Sequence, residues 1–191
     1  MAGNGIVDVS GSGTLFTNNG TLDFTGGTLK VGAGGFTNAS GQSIMLNAGT
    51  NTLSVTGGSI TNAGTITATV GTLTFTGAAL NNTNAINIVT SATLADASGI
   101  NSSGTISGSG TISGAITNSG SGTIAVTGTS ATLNTDTITN SAAITIASGD
   151  TLSSSSAITN NSGGTITLSG GTLAMTGGIA NAGARSAAQG R

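Results

Sequence analysis

The chain has 191 residues with three Lys and Arg, five acidic residues, no His and a net charge of −2. Aromatics make up 2%, Gly numbers 34, and Pro, Cys, Trp and Tyr are missing. Three cations form no stripe for phosphates and no aromatic platform exists for bases, which excludes nucleic acid as a partner. No apolar run reaches the roughly 18 residues of a membrane-spanning helix. An apolar fraction of 36%, recurring at regular positions, argues against disorder.

In chain order, Met1-Ala2-Gly3-Asn4-Gly5 has neither the basic start nor the apolar core of a secretion signal. Either a signal has been removed or the chain is a piece of a longer one. Residues 1–13 read as an N-terminal edge or first partial coil. Residues 14–183 carry a repeat, aligned on Asn18, Asn38, Asn62, Asn82, Asn101, Asn118, Asn140, Asn160 and Asn181. The gaps are 20, 24, 20, 19, 17, 22, 20 and 21 residues, a spacing that signals a solenoid. Residues 184–191 break the pattern and read as an irregular tail.

Three apolar columns run in register with the Asn. The first is Phe16, Phe36, Ile60, Leu80, Ile100, Ile116, Ile138, Ile158 and Ile179. The second is Leu22, Ile44, Ile66, Ile86, Ile106, Ile124, Ile144 and Ile166. The third is Leu29, Leu53, Leu73, Leu94, Ile112, Leu133, Leu152 and Leu173. Further apolar residues two beyond the second column give the period-two alternation of strands with one buried face. Gly, Ser and Asn clusters between the columns supply corners. Three short strands per repeat predict an all-β parallel β-helix of about nine coils of ~20 residues with triangular section, a rod of roughly 43 Å at ordinary strand spacing. The spacing lacks the six-residue period of the left-handed hexapeptide form, which favours the right-handed one. Two packed antiparallel sheets would explain strands and turns but not three separate columns.

The units Ile60-Thr-Asn-Ala-Gly-Thr-Ile66, Ile158-Thr-Asn-Asn-Ser-Gly-Gly-Thr-Ile166 and Phe16-Thr-Asn-Asn-Gly-Thr-Leu22 resemble repeats of filamentous haemagglutinin-like adhesins and autotransporter passenger domains. The resemblance covers about residues 14–183. It implies a right-handed parallel β-helix, secretion across a bacterial outer membrane, and a role in adhesion, surface display or biofilm matrix. The chain departs from the family in lacking a secretion signal, an amphipathic N-terminal cap and a C-terminal barrel, so it implies a stalk segment.

The Asn column reads as a structural ladder, with a sugar-binding surface as the sharper alternative. A Thr column precedes the third apolar column: Thr28, Thr52, Thr72, Thr93, Thr111, Thr132, Thr151 and Thr172. Ranked hydroxyls and methyls suggest ice binding, but the rank two residues on has one Thr in eight, so strand propensity is the plainer reading. The acids Asp8, Asp23, Asp96, Asp136 and Asp150 fall at scattered repeat positions, against catalysis and against a metal site, and no cofactor is expected. Asp96 has an inward phase but is expected in a loop over residues 95–99. The expected function is an extracellular structural solenoid, a self-assembling fibre subunit or a stalk segment, partnered with itself by head-to-tail stacking. Glycan-binding adhesin and ice-binding protein are the alternatives.

Overall fold

The computed structural model describes residues 5–11 and 13–187. Within them the chain is all β, and every strand pairing is parallel between successive coils. Alternating apolar residues explain this. Strands of three to six residues cannot persist singly, but each gains a neighbour above and below once the chain coils.

Three ladders result. The first is a nine-stranded sheet running from Phe16–Asn18 through Ile60–Asn62 and Ile138–Asn140 to Ile179–Asn181. The second runs from Thr21–Phe24 to Ala184–Ala187, and the third from Ile6–Val9 to Thr172–Met175. These two merge into one 16-stranded sheet because the 12-residue strands Thr65–Thr76 and Ala85–Asp96 pass from one to the other. The expected corner is missing there because Thr69-Val70 and Val89-Thr90 stand where other coils place turn residues, such as Gly108-Ser109-Gly110. Pairing between the two long strands slips between Ile88 and Ser91.

The interior is a continuous aliphatic stack. Its first column is buried from Phe36 to Ile158 and its second from Ile44 to Ile166. Phe16 and Phe36 open the first column as parallel rings with centroids 5.8 Å apart. At about 1.5–3 kcal/mol per fully buried large side chain, these stacks are the main stabilising term.

The third column departs from expectation. Leu53 pairs with Phe75 rather than Leu73, and Asn51 faces Leu73. Ile112 pairs with Thr135 rather than Leu133. The column is therefore three offset pieces: Leu29–Leu53, Leu73–Leu94–Ile112 and Leu133–Leu152–Leu173. Each slip is two residues, so inward residues stay inward and the core is preserved.

At the C-terminal end, Ala184–Ala187 pair with Thr165–Leu168, so the tail expected from residue 184 starts as a further rung. Residues 188–191 lie outside the described residues. At the other end Ile6–Val9 pair with Thr28–Val31, within the expected first partial coil. Residues 1–4 and 12 of that segment also lie outside the described residues.

Candidate functional site

In each strand of the first ladder the first and third residues point inward. The third is Asn in every strand but Ile100–Ser102, so amides enter the core beside the aliphatic stack. Asn38, Asn82, Asn118, Asn140 and Asn160 are fully buried, and Asn62 nearly so. Burying an amide costs free energy unless all its groups are paired. Here each amide pairs with the next coil. Asn18 Nδ2 donates to Asn38 Oδ1 at 2.7 Å, Asn38 to Asn62 at 2.8 Å, and Asn62 to Asn82 at 2.8 Å. Beyond a break, Asn118 donates to Asn140 at 2.7 Å, Asn140 to Asn160 at 2.7 Å, and Asn160 to Asn181 at 2.8 Å. The second amide hydrogen goes to corner carbonyls. Asn62 Nδ2 reaches the Ala85 carbonyl at 3.0 Å and Asn118 Nδ2 that of Ala143 at 2.9 Å.

Asn101 is not part of this ladder. It is exposed and donates to Asn81 Oδ1 at 3.1 Å on the outer surface. Its coil reads Ile100-Asn101-Ser102, and alternation turns Ile100 and Ser102 inward. Ser102 Oγ accepts from Asn82 Nδ2 at 3.1 Å and donates to the Gly104 carbonyl at 3.2 Å. Asn118 Oδ1 is left buried without a partner. Ser102→Asn is expected to close the gap, because its neighbours in the ladder already hold Asn in matched register. A stability gain of about 1 kcal/mol, seen as a melting temperature about 2–4 °C higher, is the expected result.

The Thr column is also rearranged by the slips. Thr28 pairs with Thr52 and Thr52 with Thr74, whereas Thr72 pairs with Thr50, Thr93 with Thr72, and Thr111 with Thr93. Thr111 then faces Asn134, and Thr132, Thr151 and Thr172 form a separate rank. Two coils consequently show paired hydroxyls side by side, Thr50/Thr52 over Thr72/Thr74. On the preceding coil Thr28 faces Thr52, and on the following coil Ala95 stands against Thr74 and ends the block.

The acids are dispersed, and Asp150 Oδ2 is buried without a hydrogen-bond partner. Asp23 Oδ1 accepts from Asn47 Nδ2 at 2.9 Å. Asp136 accepts from Gly114 N at 2.7 Å and Ser155 Oγ at 3.1 Å, joining coils on either side. Asp150, fully buried, accepts from Ala131 N at 2.7 Å, beside the second register slip. Asp8 lies 3.9 Å from Lys30 on the surface. Among the described residues no three His, Cys, Asp or Glu gather as a metal-holding group.

Asp96 corrects another expectation. The strand Ala85–Asp96 continues through it, and its side chain is fully buried, accepting from Leu80 N and Ser98 N at 2.9 Å each. Two backbone donors make an inward carboxyl tolerable at a strand end, where a loop was expected. Burial raises its pKa above the usual 3.8, against the opposing pull of hydrogen bonds from Ser98, Leu80 and Gly99. A raised folded-state value means that this contribution is full below about 3.8 and is lost as pH rises through the folded value. Asp96→Asn is expected to flatten that fall in denaturant melts from acid to neutral pH. Leu80 N keeps its bond to the Gly99 carbonyl at 3.1 Å, so the variant retains the local pairing. Asp8, held below the usual value by Ser10 and Lys30, acts in the opposite sense. The parent-minus-variant difference isolates Asp96.

No protein-family model, curated protein or solved structure matches the chain.

Proposed function

We propose that the chain is an extracellular structural rod, a stalk segment or fibre subunit of a bacterial surface or biofilm protein, and that its coil is right-handed. The observation that carries this reading is the direction of the chain's hydrogen bonding. Backbone ladders, Asn amides and even the acids bond mainly along the stack from coil to coil. A structure linked this way resists extension and keeps a constant section, which suits a spacer. An outer surface dominated by Thr, Ser, Asn and Gly, with little charge, fits an extracellular setting, as does the repeat's likeness to adhesin stalks.

Catalysis finds no support in acids that serve as backbone caps on separate coils. Glycan binding lacks a stacking platform, since three of the four Phe are fully buried and Phe16 packs on Phe36. Ice binding has one observation in its favour, the Thr50/Thr52 and Thr72/Thr74 block. Two coils make a small lattice beside a rod of nine rungs.

Small-angle X-ray scattering of the dilute chain tests the reading, together with thermal hysteresis and retention on immobilised glycans. A particle of uniform section roughly 43 Å long, with neither activity, is expected. A globular particle, arrested ice growth or glycan retention would overturn it.

A further inference from the structure

We infer that the rod carries a seam between two particular coils, residues 100–115 and 116–137, and that the stack opens there first, as two cooperative units meeting at a yielding plane. The seam lies inside the described stack and goes beyond the rod's proposed role, because it depends only on how these coils pair.

All three sides of the stack thin out at this one level. On the first ladder Ser102 stands where the flanking coils hold inward amides. Its Oγ accepts from Asn82 on the preceding coil and donates to the Gly104 carbonyl of its own corner. Asn118 Oδ1, on the next coil, is left buried without a partner. At every other level of the described ladder an amide bonds to the side chain of the following coil. On the second ladder Thr105–Gly108 meets Thr123–Val126 through Thr105, Ile106 and Ser107, whereas all four residues of Ala143–Ile146 find partners on Thr123–Val126. On the third, the slip leaves Thr111 against Asn134 and Ile112 against Thr135. A slip alone does not cause this. The earlier one keeps Thr50 through Ser54 in register with Thr72 through Thr76.

The core is also lightest here. Gly108 pairs with buried Ile88, and two residues beyond the second column the next coil has buried Val126. The large buried apolar residues of coil 100–115 are Ile100, Ile106 and Ile112, against Ile116, Ile124, Val126 and Leu133 in the following coil. A missing large side chain forfeits apolar burial between the planes it would join. The connection into Thr132–Thr135 passes through Ser130 at φ +54°, the one non-glycine with positive φ among the described residues. Stability in stacked repeats is a sum of repeat terms and nearest-neighbour interface terms, so the thinnest interface sets where the stack parts. One bracket spans the seam: Asp136 accepts from Gly114 N at 2.7 Å and Ser113 Oγ at 3.4 Å. It tethers the third side, so the seam opens from the first and second. Under tension such a seam yields first and lengthens the rod while both flanking units stay wound.

Backbone hydrogen exchange of the full chain in low urea, followed by nuclear magnetic resonance, tests this at matched positions. Ser119 N bonds across the seam to the Ser102 carbonyl at 2.9 Å, and Ser103, Ser141 and Asn161 make the same bond at other levels. Thr123 N crosses the seam to the Gly104 carbonyl, and Ala143 N crosses the following level to that of Gly122. Protection at Ser119 and Thr123 is expected to be about tenfold or more below that of their counterparts. Ser102→Asn is expected to raise it about fivefold and to leave the counterparts unchanged, because the added amide bond lies in the seam. Thr105 and Thr123 are register partners in a chain without cysteine, and strand spacing of about 4.8 Å suits a disulfide. The oxidised Thr105→Cys/Thr123→Cys double variant is expected to abolish the excess exchange at Ser119, and reduction to restore it. Equal protection at matched positions in the parent would overturn the seam. So would excess exchange that neither Ser102→Asn nor the disulfide reduces. A Ser102→Asn variant that raises protection alike at every level would also overturn it, since the stack would then open only as a whole.

Discussion

Asn140→Ala is expected to lower the stability of the chain by about 4 kcal/mol, measured by urea denaturation at neutral pH. Asn140 is fully buried and stands mid-ladder. It accepts from Asn118 Nδ2 at 2.7 Å and donates to Asn160 Oδ1 at 2.7 Å, with longer bonds to the carbonyls of Ala142 at 3.1 Å and Thr165 at 3.2 Å. Removing the amide strands two donors, Asn118 Nδ2 and Ala142 N, and up to three acceptors, each costing about 1–3 kcal/mol when wholly unsatisfied. Partial relaxation keeps the total below their sum. Asn140→Asp separates the polar effect from the lost volume, because it keeps the shape and, when ionised, donates nothing. It is expected to be at least as destabilising at neutral pH and to recover on acidification, when the protonated carboxyl again offers a donor to Asn160. A loss under about 1 kcal/mol for both variants would show that the ladder contributes little.

Gly108→Ala is expected to cost about 3 kcal/mol or more. Two independent causes combine at this corner. The backbone has φ +111°, a region essentially restricted to glycine. A Cβ there would also lie 3.0 Å from the carbonyl carbon of Ile88 and closer still to its oxygen, on the preceding coil. That neighbour is backbone in a paired strand and has little freedom to move. Gly163 provides the comparison, with φ +85° and nothing within 4 Å of a built Cβ. Gly163→Ala carries the backbone strain alone and is expected to cost about 1–2 kcal/mol. Equal losses at the two positions would mean that the approach of successive coils is looser than described.

Much of this architecture was legible in the sequence, and the misreadings have separate causes. The first and second columns pair as their spacing implied, Ile60 with Leu80 and Ile66 with Ile86. Alternation sets which face a residue takes, but a slide by two residues leaves every face unchanged. The sequence pattern therefore cannot distinguish Leu53 over Leu73 from Leu53 over Phe75. The slip also placed Asn51 in the interior opposite Leu73, where its Oδ1 has no partner. Asn101 was misassigned because the alignment followed residue type, whereas the fold follows phase: the inward position two beyond Ile100 is Ser102. Phase could have identified Ser102, just as it gave the inward direction of Asp96. The burial of Asp150 had no such signal, because it depends on an orphaned N–H of Ala131 on a neighbouring coil. Function was less legible than fold, since a rod is recognised by what runs along its length rather than by a cluster of reactive groups.

Hydrogen exchange of the Asn side-chain amides, followed by nuclear magnetic resonance, tests the buried polar ladder most directly. The Nδ2 hydrogens of Asn62, Asn82, Asn140 and Asn160, which donate to the following coil from a buried interior, are expected to exchange only on opening of the coil. Those of Asn101 and Asn161, which bond on the exposed surface, are expected to exchange rapidly. Equally rapid exchange in both groups would contradict an interior ladder.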